Sequence, residues 1–413
     1  MTPAQRARHA DASTLAQALA DSRRDTLQTF AAFEAALPSL QVPYAEELNP
    51  PLWELGHVGW FQSWWLARNP ERAQGWQADP QAPRHAPARA QADALYDSRY
   101  VTHATRWSLP LPDARTTRAD IAAQLDITLD LLATETGADA TRLYFFRLAL
   151  LHEDMHHEAA LYMAQALGIA IHDACWQPPA LPEPGPPLAL PATRWTLGTQ
   201  AGAGFVFDNE CGHAVVDLPA VQMEAQVLRW QDYLPFVEDG GYTQDRWWSA
   251  TGWQWLQSAS RGTTPTATAL AAPRYLRQDG GNWQSVRYGT WRPLDLREPA
   301  CHLSWHEAQA WCRWAGRRLP TEAEWARAQA HAPQDLRWGD VWEWTASPFA
   351  PYAGFEPHPY REYSAPWFDG RPVLRGASFM TQARMRHPDY RNFFTPDRND
   401  IAAGFRTCKT VSA

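Results

Sequence analysis

Apolar residues recur with a period near 3.6 over four stretches of the first 170 positions, about 12–36, 50–68, 118–136 and 141–168. Each stretch is long enough for a helix, and four such helices predict a bundle. Between the second and third lies residues 73–112, rich in Ala, Pro, Arg and Asp and without a period. That segment is too long to be an idle connection and is expected to carry function or wrap the bundle. Further on, Gln177-Pro-Pro-Ala-Leu-Pro-Glu-Pro-Gly-Pro-Pro187 lacks donors and has φ fixed at each proline, so it reads as a linker. Beyond it the chain breaks into short aromatic and Gly-rich pieces, with helix-like interruptions at 229–237 and 304–328. The expected fold is α+β and multidomain: a helical bundle over 1–172, a linker over 173–192 and an irregular, loop-dominated domain over 193–413.

Composition narrows the partners. A net charge of -8 with no basic stripe argues against nucleic acid. The polar start of the chain and the lack of any apolar run of membrane length predict a cytoplasmic protein without a membrane partner. Five cysteines, scattered and without paired metal spacing, predict free, buried thiols in a reducing compartment. The 23 tryptophans are mostly core, but rings in such supply can also wall a cationic or sugar-like ligand. Small-molecule partners are expected, with the chain a monomer or a small homo-oligomer.

The sharpest signal is His152-Glu-Asp-Met-His156. Positions i and i+4 of a helix lie about 40° apart around its axis, so both imidazoles can grip one ion. Two ligands are not enough. The third candidate is His57 in Pro51-Leu-Trp-Glu-Leu-Gly-His57, on a helix that Asn49 is expected to cap and prolines to open. His57 shares a face with Trp53, Trp60, Phe61 and Trp64, where an imidazole would be buried among rings unless something polar or metallic meets it. His157 and Glu158 point off the metal face, the first as a structural or surface residue and the second as a supporting or packing carboxylate. Three imidazoles without thiolate or carboxylate leave coordination positions open, which is the arrangement of catalysis. Zinc, iron, nickel and copper all suit such ligands.

Leu303-Ser-Trp-His-Glu-Ala, Gly339-Asp-Val-Trp-Glu-Trp-Thr345, Val373-Leu-Arg-Gly-Ala-Ser-Phe379 and Ala403-Gly-Phe-Arg-Thr-Cys408 together resemble the formylglycine-generating-enzyme-like fold, which is related to C-type lectins. Formylglycine generation itself is not expected, since that activity uses a late cysteine pair and only Cys408 lies beyond Cys312. The first half, with its histidine placement, resembles a DinB-like four-helix metal domain. The two in this order resemble the ergothioneine-type sulfoxide synthases, non-heme iron enzymes that join a sulfur or selenium donor to C2 of the imidazole of hercynine using O2. The resemblance implies an Fe(II) site at His57, His152 and His156. It implies that Tyr360, in Tyr360-Arg-Glu-Tyr363, is the phenol that gives a proton or an electron, with Tyr363 its partner in the pair. In Arg391-Asn392-Phe393-Phe394 it implies that Asn392 binds the betaine carboxylate, and Phe393 then faces the trimethylammonium group.

Three departures bear on the donor. Phe394 stands where thiol-using relatives have an aspartate, Met155 where they have a glutamine, and an expected Arg-Gly-x-x-x-Arg string is replaced by the region from Tyr100 to Trp107. A doubly carboxylated donor needs such charges, because burying unpaired carboxylates is costly. A sugar needs rings to stack on, such as Phe394 or Trp107. The branch of the family that takes a selenosugar, in selenoneine biosynthesis, fits best, although Arg398 still matches a family arginine. The alternatives are the same chemistry with a thiol donor, a zinc-dependent DinB-type thiol transferase, and a lectin-like binding protein.

Overall fold

In the computed structural model, residues 1–135, 137–202, 204–259 and 271–411 are described. Helices α1 (Pro3–His9), α2 (Ala12–Ala36), α3 (Pro51–Gln62), α4 (Ala92–Tyr96), α5 (Ala114–Ala133) and α6 (Tyr144–Leu167) build the first part of the chain. The four long ones match the predicted stretches, apart from Thr136, which lies outside the described residues. α2 packs along α6, α3 along α5, and α3 also meets α6. α2 and α5 begin on aspartates, Asp11 and Asp113, whose carboxylates accept from the backbone N–H three residues on. α3 begins differently from expectation. Pro50 is its cap and makes no side-chain cap bond, because a proline side chain carries no acceptor, while Pro51 at the first helical position leaves one N–H fewer to satisfy. Asn49 instead accepts from Arg106 Nη1 at 2.8 Å.

Segment 73–112 does wrap the bundle, and it is less irregular than its composition suggests. It holds α4 and a 3₁₀ turn at Ala104–Ser108. Arg68 ties it down with a bidentate pair to Asp93, at 2.6 and 2.8 Å.

The second part of the chain contains helices α7 (Trp230–Glu238), α8 (Ala250–Ala259), α9 (Trp305–Trp314) and α10 (Glu322–His331). The single helix expected at 304–328 is two helices, broken where Gly316 takes φ 64° and Pro320 follows; Thr321 then caps α10 with a capping box. The strands are β1 (Leu188–Leu190), β2 (Thr193–Leu197), β3 (Ala214–Leu218), β4 (Val221–Met223), β5 (Leu276–Asp279), β6 (Asn282–Arg287), β7 (Thr290–Pro293), β8 (Trp342–Pro348), β9 (Pro372–Gly376), β10 (Asn392–Phe393), β11 (Ala403–Gly404) and β12 (Cys408–Thr410). They form small sheets in the orders β1-β4-β12, β10-β9-β8-β11, β2-β3 and β5-β6-β7. The proline segment is not a free tether. Leu181 is buried with its N–H on Arg297 O, and β1, inside the expected linker, pairs with β4. Part of the second domain's expected span, 203, 260–270 and 412–413, lies outside the described residues.

Buried ion pairs hold the interior. Arg391 clasps Glu322, Arg406 clasps Glu343, and Arg8 of α1 reaches Glu210 at 2.7 Å. All five cysteines are free, but Cys175 is exposed rather than buried. Among the described residues, no helix is long and apolar enough to cross a membrane.

α6 joins the two parts. Its Tyr144 hydroxyl shares a hydrogen bond with Nδ1 of His358 at 3.0 Å. Burial pushes His358 down to about 4 and His387 down to about 3. The unfolded chain protonates both near pH 6.5, so between pH 6.5 and about 4 it binds more protons than the folded chain. Stability is therefore full above pH 6.5 and falls through that window. The metal-free protein should lose Tm from pH 7 to 4.5, and His358→Gln should flatten part of the loss. A Tm slope unchanged by that substitution would remove His358 from the account.

Candidate metal centre

Close backbone packing brings the first histidine into place. A Cβ on Gly56 would lie 2.3 Å from the Tyr96 ring, and one on Gly59 would lie 2.6 Å from Ile121 Cγ2, so the two glycines let α3 settle against α4 and α5. His57 then donates from Nδ1 to the backbone carbonyl of Tyr96, at 2.8 Å, which leaves Nε2 with its lone pair. His152 and His156 come from one face of α6. Ligand atoms of the three imidazoles all lie within 4.8 Å of one another, and their ring centroids are 4.5–5.2 Å apart. The group can hold a metal ion.

Each imidazole is held from behind. His156 Nδ1 meets Glu54 Oε2 at 2.5 Å. Glu54 is held below the ordinary carboxylate range: burial works against ionisation, but the neighbouring His156 outweighs it. His152 lies flat on Phe61, with ring centroids 3.5 Å apart, and its buried Nδ1 has no hydrogen-bond partner among the described residues. Burial lowers His57 to about 3 and His152 well below its usual value, so both are neutral lone-pair donors at neutral pH. Buried neutral imidazoles, an orphaned ring nitrogen and a supporting carboxylate fit a metal better than a satisfied core.

Tyr360 sits edge-on beside Phe61, 5.0 Å from that ring and 6.1 Å from His152. Burial pushes its phenol well above the usual range. Tyr363 stacks 5.9 Å away, but its hydroxyl is committed: it donates to Tyr390 at 3.0 Å, and Tyr390 donates to Met155 Sδ at 3.4 Å. The pair from the late loop is thus brought to the centre, with different duties for its two members.

Beside the triad, along the next face of α6, lies a cavity of about 270 Å³ lined by Met155, Glu158, Tyr390, Asn392, Phe394 and Arg398, among others. It gathers four of the expected substrate residues. Phe393 is not among them. Alternate residues of β10 point to opposite sides, and the Phe393 ring stacks on Phe349 at 4.1 Å instead of facing the cavity. Trp107 packs on Tyr44 and His103, one ring removed from it. Asn392 Oδ1 accepts from the Phe393 N–H, and no described bond uses its amide N–H groups. Arg398 forms a fork with Asp400, at 2.5 and 2.7 Å, and lies over the Phe394 ring.

Of the neighbours, Glu158 is a packing carboxylate: it accepts from Tyr162, Trp342, Ser378 and Thr381. His157 is buried between Thr29 and Gln382 and is structural. Sequence reasoning missed Glu54, Tyr96 and Tyr390. Glu54 precedes His57 by three positions, a same-face spacing that could have revealed it. Tyr96 acts through its backbone carbonyl and Tyr390 through a long-range contact, and neither leaves a local signal.

The chain matches the model of the sulfatase-modifying factor enzyme 1-like domain over residues 182–338 and 334–411. It is 31% identical to a hercynine oxygenase of Mycolicibacterium smegmatis, over 95% of this chain and 98% of the relative. A hercynine oxygenase of Mycobacterium tuberculosis is 32% identical over 88% and 91%. A formylglycine-generating enzyme of Streptomyces coelicolor is 30% identical, over 40% of this chain and 56% of that one.

Proposed function

The chain belongs to the hercynine oxygenase family, the ergothioneine-type sulfoxide synthases, with a sulfatase-modifying factor domain in its C-terminal part, and from that premise we propose that it is a non-heme iron(II) enzyme that uses O2 to join a selenosugar to C2 of the imidazole of hercynine, giving a hercynyl selenoxide in selenoneine biosynthesis. The observation that carries the reading is the buried group of His57, His152 and His156. In this reading residues 1–172 are a DinB-like metal domain and 193–413 the domain that closes over it.

Fe(II) held by the triad would supply one-electron chemistry toward O2 and open positions for substrate. The chain supplies the rest. Glu54 and the Tyr96 carbonyl orient two of the imidazoles. The free amide N–H groups of Asn392 suit the carboxylate of hercynine. Tyr360, with no described hydrogen bond at its hydroxyl, is free to deliver a proton or an electron, whereas Tyr363 is engaged with Tyr390.

Support for a neutral donor comes from the charges around the cavity. Arg398 is already neutralised by Asp400, and Glu46 and Glu47 line the same space. A donor with two carboxylates would meet no unpaired cation among the described residues that line the cavity, at a cost of several kcal/mol. A sugar can place an apolar face on Phe394 and its hydroxyls on the polar rim.

The test is a side-by-side assay of iron-reconstituted protein in air, with hercynine and a 1-selenosugar, cysteine or γ-glutamylcysteine. The selenosugar should consume O2 and give a product of the expected mass at least tenfold faster than either thiol. Preference for a thiol would reassign the donor. Stoichiometric zinc with activity persisting under argon would replace the reading by a thiol transferase, and hercynine or sugar binding without turnover would leave a binding protein.

A further inference from the structure

We propose that Trp60 is a one-electron donor to the metal centre, an outlet that protects the site when it is oxidised without completing turnover; the inference rests on the triad holding a redox metal. Two indoles stack on His57, Trp53 at 4.6 Å and Trp60 at 5.6 Å. Their surroundings differ. The guanidinium of Arg106 lies 3.8 Å over the Trp53 ring, and a cation on the π face opposes loss of an electron from it. Trp60 instead donates its N–H to Asp93 Oδ1 at 2.7 Å. That carboxylate also pairs with Arg68 at 2.6 Å, so what it offers the ring is a strong acceptor for the N–H, a hydrogen bond that strengthens as an electron leaves the indole.

The path also has an end. Trp64 stacks on Trp60 at 5.5 Å but lies under Arg68, Arg84 and Arg99, at 5.0, 5.2 and 4.4 Å, so charge that reaches Trp60 is not drawn further outward. Tyr360 is a poorer donor, since an oxidised phenol must release its proton and no acceptor among the described residues meets its hydroxyl. Trp60 borders a separate cavity of about 290 Å³ with Ser63, Tyr96 and Asp120, which none of the three histidines lines. A small thiol or enediol reductant could return the electron from there.

The experiment uses the full chain loaded with Fe(II), without hercynine or donor, and one equivalent of hydrogen peroxide. Peroxide takes two protons from solvent and two electrons, and leaves as two waters. One electron comes from the ferrous ion, which becomes ferric, and one from Trp60, which becomes a radical cation beside Asp93. Electron paramagnetic resonance of frozen samples with indole-deuterated tryptophan, and peptide mass mapping, read the result. A tryptophan radical is expected in the frozen anaerobic sample, and in a parallel sample then opened to air, where O2 adds to the radical, oxygen addition concentrated on the Trp60 peptide. Trp60→Phe should lower the radical yield at least fivefold and move oxidation to His57, Phe61 and Tyr360. Asp93→Asn keeps the indole but also breaks the pair with Arg68, and it should lower the yield at Trp60 severalfold; Arg68→Ala breaks the same pair and keeps the carboxylate, so a yield lowered in Asp93→Asn alone isolates the hydrogen bond and keeps the test open should Trp60→Phe fold poorly. A tyrosine radical, oxidation spread over exposed Trp291 and Trp367 and unchanged in Trp60→Phe, or failure of the triad to bind iron would each overturn the proposal. Because peroxide replaces O2 and the substrates, absence of hercynine-dependent O2 uptake is a separate result that sinks only the synthase reading.

Discussion

His152→Ala is expected to abolish metal binding at micromolar ion and to reduce O2 uptake to background. His152 is the imidazole at the junction: it shares α6 with His156, faces His57 from α3 and lies flat on Phe61. Without it, two ligands remain on different helices, a number that sequesters neither iron nor zinc well. The metal-free fold should tolerate the change, because the lost stacking on Phe61 is offset by removal of a buried nitrogen that has no partner. Loss of the metal and loss of the fold are therefore separable, by calorimetric titration with Fe(II) or Co(II) alongside thermal melts of the metal-free protein. Glu54→Gln provides the graded comparison. It keeps the triad and weakens only the support of His156, so metal affinity should fall by roughly 10–100-fold. Wild-type affinity in His152→Ala would mean that the triad is not the metal site.

The second large effect is on stability. Glu158→Ala should cost about 3–5 kcal/mol, since each buried donor left without an acceptor costs about 1–3 kcal/mol and the four can relax in part. One carboxylate oxygen of Glu158 accepts from four donors: Tyr162 on its own helix, Trp342 of β8, and Ser378 and Thr381 from the loop after β9. Burial raises the Glu158 carboxyl above its ordinary range even though those donors pull it down. Removal of the side chain leaves four donors buried where water reaches poorly. Glu158→Gln keeps an acceptor oxygen and should cost less than half as much. Denaturant unfolding of the metal-free protein separates the two variants, and a loss under 1 kcal/mol in Glu158→Ala would mean that the helix and the β8–β9 region are held by other contacts.

These two residues mark how far local pattern could be read. The His152–His156 pair was legible because helical periodicity alone puts the two on one face. Glu158, two residues further on, was legible only as lying off that face; its role depends on groups 184 to 223 residues away. The same division runs through the substrate positions. Strand alternation at Asn392, Phe393 and Phe394 could be foreseen once a strand was known, but which side faced the cavity could not, and Phe393 proved to belong to the Phe349 side. Arg398 was recognisable as an arginine of the right place, while its neutralisation by Asp400 emerged only with side chains in position.

By itself, then, the amino-acid order determined four amphipathic helices, the proline stretch, the aromatic and Gly-rich second half, and three imidazoles suited to a metal. Each of these follows from interactions within a few residues: backbone hydrogen bonding, fixed φ, and the angle between side chains four apart. Tertiary structure alone decided that α3 could approach closely enough for His57 to complete the triad, that Tyr360 rather than Tyr363 kept a free hydroxyl, and that the cavity held no free cation at Arg398. Those outcomes depend on contacts between distant segments, where a glycine's missing Cβ or a single carboxylate sets which of several possible partners is met.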